Sequence, residues 1–181
     1  VWESESRRFA MTVKKTALGM FALIAFLVAS RVIPHPPNFT PVLAVAIFAP
    51  YFFRELAVAV ALPLTAMVLA DLIIGMHSYM LWVYAAVASS TLISYFLRYT
   101  DLHLFRVGAL AFGSCLIFFL VTNFGVWLGS DFYPQTAEGL IACYVAALPF
   151  FGNTLVSTVA FSGLFYGLMR MAGQQDRITQ L

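Results

Sequence analysis

Six apolar runs, at 16–33, 41–53, 56–76, 79–98, 105–129 and 151–171, take up most of a 181-residue chain and leave little of it for a water-soluble fold. About 20 apolar residues carry a helix across a bilayer core, and somewhat fewer suffice where neighbouring helices hold the segment. Charged residues make up 10% of the chain and its mean hydropathy is +0.90, whereas soluble domains carry about 25% charged residues. The expected fold is an all-α integral membrane protein, a bundle of six transmembrane helices. The second run is short and bounded by Pro41 and the Pro50 to Arg54 segment, so it reads as tilted or partly re-entrant. A further helical pattern at 136–148 precedes Pro149. Joined to the last run it would make a helix of about 50 Å, too long for one crossing. The chain is therefore expected to bend between Pro149 and Asn153, leaving 136–148 as a half-helix lying at the interface or dipping into it.

Basic residues in short loops stay in the cytoplasm. With the N-terminus inside, every Lys and Arg except Arg31 falls on the cytoplasmic side, and an even number of spans brings both termini there. The expected layout is a cytoplasmic segment at 1–15, a single membrane domain at 16–172 and a cytoplasmic tail at 173–181. Residues 1–10 precede the first methionine, Met11, and read as a cloning remnant or an upstream reading of the start. The first apolar run is followed by others of spanning length, which argues against a cleaved signal. A formal charge of +2 is too small for nucleic-acid binding. Cys115 and Cys143 stand in apolar surroundings without metal or redox spacing, as small buried side chains do.

Between the first two runs lies Arg31-Val-Ile-Pro-His-Pro-Pro-Asn-Phe-Thr40. Pro34, Pro36 and Pro37 remove backbone donors and push the residues before them toward extended conformations, so no helix passes through. Irregular backbone at membrane depth is tolerated only where protein or water covers it. The stretch therefore reads as the lip or floor of a cavity on the outer side. The same orientation brings Asp71, His77, Tyr79 and Trp82 to that side, with Asn123 and Trp127 four apart on one helix face, and Asn153 opening the last span.

Asp71 is the most informative of these, because an intramembrane carboxylate needs a partner or water. Arg31 is the natural partner, either in an ion pair pinning the first span to the third or beside a ligand. His35, His77 and Asp71 have no recognised metal-ligand spacing, and no metal site is expected. Asn38, Asn123 and Asn153 bring amides to three outer segments, as pocket groups or as helix caps. Small residues four apart, at Ala25 and Ala29, Ala57 and Ala61, and Gly163 and Gly167, let helices approach closely within the bundle or against another subunit. No Gly-x-Ser-x-Gly, His-Glu-x-x-His or nucleotide-binding loop is present. No enzyme activity and no cofactor are expected, and the chain cannot power transport itself.

Residues 31–42, Ala70-Asp71-Leu72 with Gly75-Met-His77, Thr122-Asn-Phe-Gly-Val-Trp127, and the stretch from Tyr133 to Thr154 resemble a family of uncharacterised bacterial membrane proteins. That family is described as similar to the substrate-binding S components of energy-coupling factor (ECF) transporters. The resemblance covers about 16–171. It implies a multi-pass protein of the bacterial inner membrane that captures a vitamin or similar micronutrient from outside, under a lid formed partly by the loop after the first helix. It also implies docking, through an Ala-x-x-x-Ala face matched by Ala25 and Ala29, on a transmembrane coupling protein that carries two ATPases. No ligand set of a characterised S component aligns on these residues.

The expected substrate-binding residues are Arg31, His35, Asn38, Asp71, His77, Asn123, Trp127 and Asn153. The alternative is an accessory subunit of a larger membrane complex. A pocket requires Asp71 and Asn123 to face a common cavity, whereas an accessory subunit has them satisfied by one another or by backbone.

Overall fold

The computed structural model describes residues 2–171, with side chains from Ala17 onward. The expected tail at 173–181 lies outside the described residues. The elements are α1 (Trp2–Val32), α2 (Val42–Phe52), α3 (Leu56–Ile74), α4 (Met80–Leu97), α5 (Leu104–Gly129) and α6 (Ala137–Met171). Of these, α3, α4, α5 and α6 are each long and apolar enough to cross a membrane, and α2 and the Ala17–Val32 part of α1 are shorter apolar helices. The chain is an all-helical membrane protein.

The axis of the bundle is α2. Residues Val42 to Pro50 are all buried, as suits a helix that is apolar on every side. It packs on α3, α4, α5 and α6, and α1 lies outside against α3. The Ser94 hydroxyl on α4 donates to the Ile47 carbonyl at 2.5 Å, one polar tie in an otherwise apolar contact. The short second helix expected from sequence is thus present as a buried core.

The expected break before the last helix is not there. Residues 137–148 and 151–171 fall in one helix, α6, of 35 residues, about 52 Å long at 1.5 Å per residue. Pro149 removes one amide donor, a cost of about 3 kcal/mol in an isolated helix interior, and packing along α5 offsets it. Tyr144 Oη donates to the Leu120 carbonyl at 2.8 Å. The Cys143 and Cys115 thiols reach across at 3.4 Å to Asn123 O and 3.6 Å to Thr154 O. Both cysteines are free and buried.

Antiparallel pairing of α5 and α6 fixes the depth of the proline-rich stretch. Asn153 Nδ2 donates to Pro37 O at 3.1 Å and Ser157 Oγ to Asn38 O at 3.4 Å. These α6 residues lie far from the α5–α6 turn, close to the level of Phe118. By helix rise Asn153 lies about 24 Å from the start of α6, so the α5–α6 turn extends well beyond the stretch, of which Val32, Ile33, Pro34, Pro36, Pro37 and Asn38 are exposed. A Phe39 N–H to Pro36 O bond of 2.9 Å closes its turn, and Asn38 takes a left-handed φ of 63°, a region that Asn tolerates better than most residues.

At the opposite end, arginines gather. Arg98 lies over the Tyr95 ring at 3.6 Å and donates to Arg54 O at 3.2 Å, and Arg106 donates to Leu97 O at 2.5 Å.

Candidate functional site

Because α2 is only eleven residues long, it does not fill the bundle over the whole length of its neighbours. The space is a cavity of about 240 Å³ to which all six helices or their connections contribute. Val42 and Leu43, the first turn of α2, form its floor. Met67 on α3, Val83 and Val87 on α4, and Phe118 on α5 form apolar walls. Arg31, His35, Asn38 and Thr40 bring polar groups from α1 and the proline-rich stretch, and Thr154 and Thr158 from α6.

Arg31 and Asp71 form an ion pair between α1 and α3. Asp71 is 1% exposed, and its second oxygen accepts the Tyr84 hydroxyl at 2.6 Å. One carboxylate thus ties α1, α3 and α4, with both oxygens satisfied, as a buried charge requires. Arg31 lines the cavity; Asp71 stands behind it and does not. Arg31 Nε is buried without a hydrogen-bond partner.

His35 Nδ1 lies 2.7 Å from Ile33 O. A carbonyl only accepts, so Nδ1 carries the proton, and in the neutral ring Nε2 is an acceptor. Asn123 donates to Phe119 O at 2.7 Å, bonding within its own helix. It lines a side chamber of about 60 Å³ shared with Asn38, Phe118 and Thr154. Asp71 and Asn123 therefore do not face a common cavity, contrary to what the pocket reading required of these two residues.

The other expected site residues lie elsewhere. His77 is exposed after α3, its ring 6.5 Å from that of Tyr79. Trp127 Nε1 donates to Pro134 O at 3.0 Å, and Gln135 donates back to Trp127 O, which clamps the α5–α6 turn. Asn153 is inside α6 and caps nothing; its amide holds the proline-rich stretch to that helix. Among the described residues, no three of His, Cys, Asp and Glu come together to hold a metal.

Of the eight expected residues, the structure thus brings Arg31, His35 and Asn38 to the cavity, with Asp71 anchoring the first. Sequence reasoning missed Thr40, Thr158, Tyr84 and the apolar walls. Tyr84 had a readable signal in retrospect, since a buried carboxylate with one cation has acceptor capacity left for a hydroxyl on a third helix. Ala25 and Ala29 are exposed on α1, as are Ala57 and Ala61 on α3 and Gly163 on α6. These small residues therefore face away from the bundle interior.

Fold and site together define a polytopic helical membrane protein with a small mixed-polarity cavity beside a buried ion pair. The chain belongs to a family of unknown function, DUF6580, which matches residues 11–181. No curated protein and no solved structure matches it.

Proposed function

We propose that this protein is a membrane-embedded binding subunit, similar to the S components of ECF transporters, which captures a small micronutrient for uptake by an ATP-driven partner. In this reading all six helices count as spans, α2 being accommodated within the bundle. The protein lies in the bacterial inner membrane with both termini in the cytoplasm, and the cavity faces outward. The arginines at the end opposite the cavity support that orientation. The cavity above α2 is the observation that carries the proposal, because apolar walls with a few polar groups are the usual make-up of a small-molecule site. Its volume favours a compact ligand over a large vitamin. The protein acts without catalysis, and Ala25 and Ala29, exposed on α1, are the face for a coupling protein.

The second reading, an accessory subunit of a larger membrane complex, draws on Asp71 and Asn123. Neither faces the main cavity: Asn123 bonds to the backbone of its own helix, and Asp71 is satisfied by Tyr84 and by Arg31, which itself lines the cavity. Mass spectrometry of the protein purified gently from its native membrane separates the two. A stoichiometric small molecule, with or without an ATPase module, supports capture. A fixed set of large membrane subunits and no such molecule supports the accessory reading. Ala25→Leu is expected to weaken co-purification of a coupling protein while leaving ligand binding and melting temperature unchanged; undiminished co-purification removes this face from docking.

A further inference from the structure

The cavity floor is the start of a helix. In α2 the first backbone bond runs from Val45 N–H to Pro41 O at 2.9 Å, and no side chain caps the turn. The amides of Val42, Leu43 and Ala44 therefore point up the axis without a helical acceptor, in residues that are 4% exposed or less. Buried backbone donors need a partner, and the positive end of a helix favours an anionic one.

Two further donors are found in residues lining the same cavity. Thr158 is 1% exposed and its hydroxyl has only the Cys115 thiol as a weak partner, and Arg31 Nε is buried without one. The Arg31 charge is compensated by Asp71, so the site does not call for a dianion such as phosphate. With Arg31 compensated, what the floor adds is the partial positive charge of one helix end. A single carboxylate matches this balance. A cavity of about 240 Å³ has room for about eight waters at ~30 Å³ each, hence a ligand on the order of ten non-hydrogen atoms. The Met67, Val83, Val87 and Phe118 walls call for an apolar body.

We infer that the cavity binds a small monocarboxylate, its head on the first turn of α2 beside Arg31 and Thr158, its short hydrocarbon part against the walls. The inference rests on the pocket reading above and names the class of molecule that the pocket takes.

The test uses the full chain in lipid nanodiscs, with hexanoate and benzoate as probes and hexanamide and benzamide as their uncharged counterparts. Binding is read by ligand-detected NMR and by thermal shift. A cavity-filling variant, Val87→Phe, reports binding to lipid or to other surfaces. Thr158→Val removes one donor without disturbing the Arg31–Asp71 pair. The expected result is carboxylate binding at least tenfold tighter than amide binding, abolished in Val87→Phe and weakened about tenfold in Thr158→Val. Amides binding as tightly as the acids, still blocked by Val87→Phe, overturn the carboxylate class and leave the pocket standing. Unchanged carboxylate affinity in Thr158→Val overturns this placement of the head. Equal signals from wild type and Val87→Phe with every probe overturn both the pocket reading and this inference.

Discussion

Asp71 joins three helices through its two oxygens, and its loss is felt at each of them. Removing one partner of a buried ion pair costs about 3–5 kcal/mol. Asp71→Ala is therefore expected to lower the melting temperature in detergent strongly, whereas Asp101→Ala, at an exposed position before α5, changes it little. Equal, small shifts would take the carboxylate out of the centre of the fold. Tyr84→Phe leaves the ion pair and removes one hydrogen bond to a charged group, worth about 1.5–3 kcal/mol; its melting shift should fall between those of the two aspartate variants. The Arg31–Asp71 pair was legible in the sequence because each residue is a lone charge among apolar neighbours at the same depth. The asparagines were harder to assign. Each amide has both local and long-range partners available to it, and Asn123 took its own helix while Asn153 took the proline-rich stretch.

Helix packing shows what the sequence could not specify between elements. The helix limits follow the apolar runs within a few residues for α2 to α5. The division at Pro149 failed because the contacts of α6 with α5 outweigh one lost hydrogen bond. Cavity walls such as Val87 and Met67 carried no mark, since in helices apolar all round no periodicity separates the lipid face from the inner face. Glycines give a sharper test of packing. A Cβ on Gly125 would lie 2.2 Å from Trp82 Cγ, whereas one on Gly113 would have no atom within 4 Å. Gly125→Ala is expected to force the indole aside and destabilise α4 against α5 by about 1–3 kcal/mol. Gly113→Ala should be neutral or stabilising by up to about 1 kcal/mol, from helix propensity. Melting curves of the two variants, side by side, check whether α4 and α5 meet at that glycine.

At the scale of the whole molecule, alternation of the helices places the α3–α4 and α5–α6 turns at one end and the arginine-rich connections at the other. In spheroplasts, His77→Cys is expected to react with a membrane-impermeant maleimide from outside, and Asp101→Cys only after lysis. The reverse pattern would invert the proposed orientation. Native Cys115 and Cys143 are buried and should contribute little background. How far the α5–α6 turn extends beyond the proline-rich stretch was not readable from composition, which marks a break in helix but not the relative lengths of packed neighbours.

The brevity of α2 also bears on biosynthesis. At eleven residues it rises about 16 Å, roughly half a bilayer core, and its outer face is covered by protein. Such a segment cannot wait in lipid as an independent helix for later assembly. It must be carried in by the adjoining chain and sealed when α4, α5 and α6 close around it. The last half of the polypeptide has to be made before the middle of the protein can exist.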